Sequence, residues 1–347
     1  MGQDALQNRI HLPDHLLCLT IAPEQDGLTI KQFLREKLHF SMHQISRIKY
    51  RPEGFLVNGE PKWVTETLHT GDVLCFSLDL PAEDAADCRS FLPPAARSSL
   101  SAAAENNNVP ALPILFEDAF LLAVNKPQGM VSHPSHGHHG DSALDLMRQY
   151  CRRLYLIGRL DKDTSGVLLF AKHMETASLL SKQKDSGTLS KTYLAAVRGI
   201  PDPAAGTIDV PIAVAREMPL KMKTDALTGK SAKTYYRVLR TGTDPLGNPA
   251  ALLSVTIEHG RTHQIRVHLA FAGHPILGDA LYGMPDGKQD VSCLNASDSS
   301  RAECSVPSGL LYAHLHASKL QLIHPYTGET LTVCAPDPVW AGCDIFR

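Results

Sequence analysis

The stretch GRLDKDTSGVLLFAK, residues 158–172, joins a polar loop to an apolar run, and the rest of the fold can be worked out from it. Asp161, Asp163 and Ser165 have the oxygen spacing that opens a helix-loop-helix calcium site. The twelfth position, however, is Lys172, where such a site needs a bidentate glutamate. A short apolar run after a glycine-containing turn is typical of a buried strand. We therefore predict a strand whose preceding loop faces a cleft and binds no calcium.

The carboxylate of Asp161 is flanked in the sequence by two cations, Arg159 and Lys162. A carboxylate close to an arginine stays ionised, which suits a nucleophile or an electrostatic role better than the role of an acid. The alternative is a surface loop with an incidental ion pair. Tyr193, in SKTYLAAVRG, begins a predicted strand next to Lys191, and this position alone fits a packed strand aromatic as well as a catalyst.

A second dense stretch is EHGRTHQIRVHLAFAGHPILGD, residues 258–279. Thr262 is expected to cap a helix that ends near Ala272, before a glycine and a proline. Arg266 would lie one helical turn further in, where it can reach the same cleft as an anchoring charge. Four polar side chains would lie at the helix N-terminus, a natural place to bind phosphate: Arg261, Thr262, His263 and Gln264.

A histidine-rich loop, HPSHGHHGDS, is the rival candidate for a functional site, because short histidine tracts can bind metal. Its histidines are His133, His136, His138 and His139. Glycine and proline interrupt the loop, and no ordered spacing of histidine and carboxylate ligands recurs. His263 and His268 are five residues apart, whereas two ligands on one helical face need a spacing of four. The spacing therefore argues against a metal site and leaves metal binding as the less favoured alternative.

The composition is that of an ordinary globular protein with room for two domains: 347 residues, 43% hydrophobic and 20% charged. The sequence has no long apolar run and no secretory or lipidation signal, so we predict a cytoplasmic location. The eight cysteines are scattered without a C-x-x-C pair, which predicts reduced thiols. The net charge of -2 argues against indiscriminate nucleic-acid binding. Residues 213–240 are nevertheless basic, which fits either a solvated face or a polyanionic partner.

Two polar segments without apolar periodicity divide the chain. Residues 81–113 predict a linker, and residues 284–309 predict a surface insertion. Residues 20–80 predict a small α/β domain of two basic helices followed by short strands with an Asn-Gly turn. Residues 114–338 contain more strands than helices, which predicts an α+β domain around a large mixed, mostly antiparallel sheet flanked by helices and loops. No glycine-rich fingerprint follows a strand, so no nucleotide cofactor is expected.

Taken together, these motifs resemble those of the RluA-type pseudouridine synthases over residues 114–338. GRLDKDTSGVLLFAK is similar to the signature loop of that family, SKTYLAAVRG to its tyrosine strand, and GRTHQIRVHLAFAGHPILGDALYG to its arginine motif. LAVNKPQGMVSHPSHGHHGDSALDL and LHASKLQLIHPYTGE resemble its flanking elements, including the histidine loop. Residues 28–79 are similar, less closely, to the S4-type RNA-binding domain that often precedes this catalytic domain.

The resemblance implies isomerisation of uridine to pseudouridine in structured RNA, ribosomal or transfer RNA, with no cofactor and no metal. It implies that Asp161 is the nucleophile, that Tyr193 packs under the uracil and assists proton removal, and that Arg266 pairs with Asp161. Arg159 would hold the target uridine out of its stack, since a base inside a helix cannot be reached. Further residues expected to bind RNA are Lys162, Thr164, Ser165, Arg261, Thr262, His263 and Gln264, and in the S4-like domain Arg35, Arg47 and Lys49.

The sequence departs from the family pattern at two places. Gly158 stands where the family usually has histidine, so we expect an altered contact around the flipped nucleotide and no effect on the nucleophile. In the S4-like segment Lys31 replaces the usual aspartate, and KYRPEGFLVNG makes an unusual turn into the strand. These changes weaken the prediction of RNA binding by this domain but not the prediction of catalysis.

Two alternative functions remain at this stage. One is a non-catalytic RNA-binding protein on the same fold, such as an assembly factor, and the other is a metal-dependent hydrolase. Asp161 distinguishes the first from an enzyme, because a pure binder has no use for a carboxylate in a phosphate-facing cleft, where it repels the ligand. No coiled-coil or extended apolar seam is present, so we expect a monomer.

Overall fold

The computed structural model describes residues 16–38, 40–50, 54–77, 112–134, 140–215, 221–244, 246–283 and 312–342. The linker predicted at 81–113 lies outside the described residues except for its last two positions, and the insertion predicted at 284–309 lies wholly outside them. Within the described ranges, no helix combines the length and the apolar character needed to cross a membrane.

The N-terminal unit is a four-stranded antiparallel sheet with two short helices, and its strand order is β1-β4-β2-β3. Each helix begins at a hydroxyl residue, Thr29 or Ser41, whose side chain accepts a hydrogen bond from a backbone N–H of the first turn. The elements are β1 (Leu16–Thr20), a 3-10 turn (Pro23–Gln25), α1 (Ile30–Glu36), α2 (Met42–Lys49), β2 (Phe55–Val57), β3 (Glu60–Lys62) and β4 (Val73–Ser77).

The turn between β2 and β3 lies where the Asn-Gly signal predicts it. Asn58 and Gly59 both have positive φ, 54° and 86°, which is the geometry of a two-residue hairpin turn. The structure corrects the prediction that all cysteines are reduced, because Cys18 and Cys75 are directly paired across β1 and β4 and joined by a disulfide. The two residues are 57 positions apart in the chain, so only the strand register brings them together.

The second unit is built on a ten-stranded sheet in the order β10-β13-β14-β9-β15-β8-β6-β5, with β16 beside β15 and β7 beside β8. Every strand pair in this sheet is antiparallel except β15 with β8, so the predicted α+β fold with a mixed, mostly antiparallel sheet is confirmed. A separate two-stranded ribbon consists of β11 and β12.

The bounds of these elements follow the chain. The strands are β5 (Ile114–Glu117), β6 (Leu121–Lys126), β7 (Tyr155–Ile157), β8 (Ser165–Ala171), β9 (Ser190–Arg198), β10 (Ala205–Asp209), β11 (Ile212–Val214), β12 (Met222–Thr224), β13 (Lys233–Thr243), β14 (Pro249–Glu258), β15 (Leu315–Ile323) and β16 (Thr330–Cys334). The helices are α3 (Ala143–Tyr150), α4 (Met174–Asp185), α5 (Gln264–Phe271) and α6 (Val339–Gly342).

Both faces of the central strands are buried, and this explains the continuous apolar runs that the sequence shows. In β8, Leu168 and Phe170 belong to one hydrophobic cluster, whereas Val167 and Leu169 belong to another. Alternate residues of a strand point to opposite faces, so a strand covered on both sides needs apolar residues at every position. The loop that precedes β8 is therefore connected directly to a strand in the buried part of the sheet.

Candidate active site

Asp161 lies in the loop between β7 and β8, with its side chain 29% exposed. The backbone N–H of Thr164 donates to the carbonyl of Asp161 at 3.1 Å, which closes a turn before the strand begins. Gly158 opens this loop with a φ of +73°, and space around it is open. The carboxylate is thus partly exposed in a loop that joins the short strand β7 to β8, a strand inside the large sheet.

Two residues that sequence reasoning missed hold this loop from the side. The ammonium of Lys126 is buried and donates to the carbonyls of Met130 at 2.7 Å and of Lys162 at 3.2 Å. Burial lowers the pKa of Lys126 to about 7, against the opposing charges of Asp163 and Asp161. The hydroxyl of Ser132 donates to the carbonyl of Leu160 and accepts from its N–H. Lys126 and Ser132 both come from the segment LAVNKPQGMVSHP, so the flanking motif supports the aspartate loop.

Arg266, on α5, is the cation that pairs with Asp161. Its Nη1 lies 3.8 Å from the carboxylate of Asp161, and the side chain of Arg266 is buried. Within the described residues, Asp161 forms no ion pair with Arg159, although Arg159 is nearer to it in the sequence than Arg266 is. Arg266 and Asp161 therefore lie close together, and the role of Arg266 stays a prediction.

The guanidinium of Arg266 is held chiefly by Asp279, which was not predicted. Its Nε and Nη2 donate to the two carboxylate oxygens of Asp279 at 2.7 and 2.8 Å, a bidentate pair inside the protein. Burial alone would lower the pKa of Arg266, but the hydrogen bonds and charge of Asp279, with a further contribution from Asp161, raise it above its usual value. Arg266 thus remains charged, and its third guanidinium nitrogen, Nη1, is the one that lies near Asp161.

Tyr282 completes the surroundings of Arg266. Its ring centroid lies 5.2 Å from the guanidinium carbon, a cation–π contact, and its backbone N–H donates to Asp279. Its hydroxyl accepts from the backbone N–H of Met222 at 2.8 Å and lies 3.0 Å from Nδ1 of His263. Burial raises the pKa of Tyr282 to about 12, so its phenol is neutral at physiological pH. The sequence signal was present in GDALYG, but nothing local assigned a partner to it.

Tyr193 lies on β9 in the middle of the sheet and is buried to 7% exposure within the largest hydrophobic cluster. Burial, followed by the negative charge of Asp161, raises the pKa of its phenol far above the usual range. A phenol that stays neutral can offer its ring for packing, whereas a phenolate base is strongly disfavoured. Burial and the raised pKa of Tyr193 therefore favour the packing part of the predicted role over proton removal.

The N-terminus of α5 differs from the prediction. His263, with a left-handed φ of 54°, is the residue at the helix start, and Thr262 is an exposed residue before it. Gln264 is buried and its amide is fully used: it donates to the carbonyls of Lys233 and Glu258 and accepts from the N–H of Arg261. Gln264 therefore braces the helix start, and the prediction that it touches RNA is not supported.

Two predicted RNA-binding residues of the aspartate loop are buried as well. Thr164 is 2% exposed and Ser165 is 9% exposed, so their contact with RNA stays a prediction that their burial does not favour. The hydroxyl of Ser165 is instead hydrogen-bonded to Nδ1 of His316 on β15 at 2.8 Å. Burial lowers the pKa of His316 to about 4, so this imidazole is neutral at physiological pH.

The remaining predicted RNA-binding residues are accessible. Arg159 is exposed, and Lys162, Arg261 and His263 are half-buried. In the N-terminal unit the corresponding positions are Arg35 on α1 and Arg47 and Lys49 at the end of α2. Arg35 and Lys49 are exposed and Arg47 is half-buried. The arginines and lysines among them can therefore contact an external phosphate.

Residues 135–139, half of the histidine loop, lie outside the described residues, which include His133 but not His136, His138 or His139. Across the ranges that the structure does describe, no three histidine, cysteine or carboxylate side chains are grouped as metal ligands would be. A cavity of about 300 Å³ lies beside the Lys126 segment, lined by Pro127, Met130 and Tyr312 among others, and it does not include Asp161.

A family model described as RNA pseudouridylate synthase matches residues 120–271. An uncharacterised RNA pseudouridine synthase of Bacillus subtilis, YhcT, is 34% identical over 233 residues, which are 65% of this chain and 69% of the relative. Ribosomal large subunit pseudouridine synthase D of Nitrosomonas europaea is 37% identical over 235 residues, 65% of this chain and 62% of the relative.

Among solved structures, human RNA pseudouridylate synthase domain containing 1 is similar, with a TM-score of 0.53 and 27% identity. The match covers 67% of this chain and 86% of that one. Asp161, Tyr193 and Arg266 lie within the matched residues 120–271, and Asp279 lies just beyond them.

Proposed function

The chain belongs to the RluA-type family of RNA pseudouridine synthases, and we propose that it isomerises uridine with Asp161 as the nucleophile. The protein is an isomerase that acts on RNA. The observation that carries the proposal is the partly exposed carboxylate of Asp161, 3.8 Å from a buried arginine that Asp279 holds in place. A fixed cation beside a carboxylate favours its ionised, nucleophilic form.

The reaction breaks the bond between the sugar's anomeric carbon and N1 of uracil and forms a bond from that carbon to C5. The proton on C5 is lost and N1 gains one, so the atoms of the nucleotide are conserved. Asp161 would attack either the anomeric carbon or the uracil ring, and its departure would let the rotated base rejoin through C5. The chain's contribution is to orient the carboxylate and to hold the detached base.

Tyr193 supplies the surface for that base in this proposal. Its ring belongs to the sheet core and its phenol stays neutral, which supports an aromatic platform under the uracil. Arg266 is a positioning residue for Asp161, because its other two guanidinium nitrogens are committed to Asp279. The pair Arg266–Asp279 is buried and therefore keeps one geometry before RNA arrives.

RNA is held by the accessible residues around this loop. We assign phosphate contacts to Arg159, Lys162 and Arg261, and contacts to the flipped nucleotide to Thr262 and His263. A base has to leave its stack before the carboxylate can reach its sugar. Arg159 is exposed on the aspartate loop, where its side chain would hold the uridine out of the stack. Cationic residues spread over both units are suited to the phosphate backbone of a folded RNA.

The substrate that we favour is ribosomal RNA, because the similar protein of Nitrosomonas europaea is named a ribosomal large subunit pseudouridine synthase. The N-terminal unit would act as an S4-like RNA-binding domain through Arg35, Arg47 and Lys49. We propose a monomer that works in the cytoplasm. Cytoplasmic conditions are reducing, and the complete burial of Cys75 would limit access of thiols to the Cys18–Cys75 bond.

The test is a map of pseudouridines by carbodiimide probing in total RNA from the source cells. Three strains are compared: intact, deleted, and deleted but complemented with Asp161→Ala. We expect one or more ribosomal uridines to lose their modification on deletion, and the alanine variant not to restore them. With purified protein, loss of the nucleophile should lower the rate by about 10⁴-fold or more.

Asp163→Ala is the matched control, since it removes a carboxylate from the same loop, two residues away. We expect it to restore the modification. Restoration by Asp161→Ala would eliminate Asp161 as the nucleophile and favour a non-catalytic role in RNA binding. Loss of modified sites in transfer RNA alone would reassign the substrate and leave the chemistry unchanged.

A further inference from the structure

Two large aromatic side chains of the N-terminal unit are exposed. Trp63, which follows the edge strand β3, is 70% exposed, and Tyr50, which follows α2, is 80% exposed. Aromatic residues contribute most to stability when their area is buried, so neither ring is placed to stabilise the fold. Neither residue belongs to the hydrophobic core of its unit or packs against it.

The two rings flank the same cation. Nζ of Lys49 lies 5.5 Å from the ring centroid of Tyr50 and 5.6 Å from the ring centroid of Trp63. Both distances are within the range of a cation–π contact. Lys49, Tyr50 and Trp63 therefore form one surface, which we call the Trp63 patch.

The surroundings of the Trp63 patch are basic. Helices α1 and α2, with the residue after α1, carry five cations and one carboxylate: Lys31, Arg35, Lys37, Arg47 and Lys49, with Glu36. The backbone N–H of Lys31 donates to the carbonyl of Val64 at 2.9 Å, which brings the start of α1 beside Trp63. The nearest acidic residues in sequence, Glu60 and Glu66, are each three positions from Trp63, and Lys62 is adjacent to it. The charge favours a polyanion beside the exposed rings.

Flat exposed rings interleaved with cations match one kind of ligand, an unpaired stretch of RNA. Bases in a loop or bulge offer their faces for stacking, while their phosphates accept the cations. A duplex hides those faces between neighbouring base pairs and offers phosphates only. Rings of this kind are unnecessary for a purely electrostatic contact, so their presence points to unpaired nucleotides.

We propose that the Trp63 patch binds unpaired nucleotides of the RNA substrate, with bases stacked on Trp63 and Tyr50 and with Lys49 on a phosphate. This inference rests on RNA being the partner of the enzyme, and it goes beyond the proposed role of the N-terminal unit. It states which nucleotides are recognised and by which contact. The patch would thereby select substrates that have a loop or bulge in addition to the target uridine.

The experiment uses the fluorescence of Trp63 in the full chain. The protein has two tryptophans, and Trp340 stacks in parallel on His314 within the catalytic unit. The variant Trp340→Phe leaves Trp63 as the single reporter. It is titrated with an oligouridylate of about ten nucleotides and, separately, with a duplex of the same phosphate number. We expect the oligouridylate to quench the fluorescence and the duplex to leave it unchanged.

Affinity measurements on variants separate stacking from charge. Trp63→Ala and Tyr50→Ala should each weaken binding of the oligouridylate by about fivefold to a hundredfold. Trp63→Phe and Tyr50→Phe keep a ring and should recover most of that loss. Trp63→Lys adds a cation and removes the ring, so stacking predicts weaker binding, while a purely electrostatic patch predicts tighter binding. Circular dichroism checks that each variant is folded.

Equal quenching by duplex and oligouridylate, or tighter binding by Trp63→Lys, would overturn the proposal. So would unchanged affinity in both alanine variants, which would instead favour a protein partner for the exposed rings. The result is independent of the proposed nucleophile, because the titration measures binding and can be repeated with Asp161→Ala. Quenching without pseudouridine formation would retain this inference and refute the catalytic assignment. Pseudouridine formation without quenching would refute this inference and retain the catalytic assignment.

Discussion

The buried pair Arg266–Asp279 shows at the scale of single residues how the candidate site is organised. Sequence proximity favours Arg159 as the cation beside Asp161, yet the structure places Arg266 there. Asp279 fixes the guanidinium through two hydrogen bonds and also accepts from the backbone N–H groups of Leu281 and Tyr282. One carboxylate thus orders both the arginine and the turn behind it.

The first prediction concerns Asp279→Asn. Breaking a buried ion pair by removing one charge leaves the other charge uncompensated, so we expect a loss of about 3–5 kcal/mol of unfolding free energy. Pseudouridine formation should also fall, because Arg266 loses its orientation. The measurement is urea denaturation together with a single-turnover assay.

Asp209→Asn is the control for that prediction. Asp209 pairs with Lys233 at 2.9 Å, but its side chain is 59% exposed, so solvent screens this pair and its loss should cost far less stability than the loss of Asp279. Equal stability losses in the two variants would contradict the view that burial makes the Arg266–Asp279 pair important.

The second prediction concerns the pH dependence set by His316. Burial lowers its pKa from 6.5 to about 4, so between those values the unfolded chain takes up a proton that the folded chain does not. Acid therefore favours unfolding across this range, and the effect on stability at pH 4.5 should be about 2 kcal/mol. His316→Asn can keep a hydrogen bond to Ser165 without titrating.

The test is to measure the unfolding free energy of wild type and of His316→Asn by denaturation at pH 7 and at pH 4.5. The wild type should lose more stability on acidification than the variant. The double difference removes the contribution of other buried histidines, which are common to both proteins. A variant that is equally acid-sensitive would show that His316 does not carry this dependence.

At the scale of elements, the contact between β8 and β15 gives the sheet its parallel pair. Gly166 lies opposite Ala317 at this contact and has a φ of +106°, a value that residues with a side chain rarely adopt. A Cβ on Gly166 would lie 2.2 Å from the carbonyl oxygen of Ala317. The aspartate loop therefore ends at a glycine because two strands approach each other closely there.

The third prediction compares two glycines with positive φ. Gly166→Ala should destabilise the protein by about 3–5 kcal/mol, because backbone strain adds to a clash with another strand. Gly187→Ala, after α4, has a φ of +79° but no atom within 4 Å of the added Cβ, so only about 1–2 kcal/mol is expected. Thermal unfolding of both variants measures the difference, and equal shifts would contradict the steric argument.

At the scale of the whole molecule, the two units have largely separate cores. The clusters on the two faces of the large sheet contain residues from Leu112 onward. The cluster of the N-terminal unit contains residues from Leu17 to Phe76, with Leu179 of the second unit and with Phe120 and Tyr326 packed against it. The large sheet can therefore bury its own apolar surface.

The fourth prediction is that a chain beginning at residue 112 folds by itself. We expect one cooperative thermal transition, because the sheet keeps both of its covered faces. Activity on a short RNA with the target uridine should persist, while affinity for the full structured RNA should fall. An insoluble fragment, or one without cooperative unfolding, would show that the contacts of Leu179, Phe120 and Tyr326 are needed for the fold.

The trio Asp161, Tyr193 and Arg266 was predicted from the resemblance of its motifs to a family, and the roles of its members stay predictions. The sequence by itself determined the order of motifs and the mixed sheet, because these depend on residue type and on periodicity over a few positions, and both can be read locally. The Asn58-Gly59 turn belongs with them, because its left-handed backbone is a property of those two residues.

Only the tertiary structure decided which side chains face outward and which residues meet. Thr164, Ser165 and Gln264 have the polar character of RNA ligands but are buried, and the side chains of Ser165 and Gln264 are hydrogen-bonded within the protein. Lys126, Ser132 and Asp279 support the site from segments distant in the chain, and Cys18 meets Cys75 across a strand register. The physical reason is that burial and pairing depend on how distant strands align, and no local pattern of residues encodes that alignment.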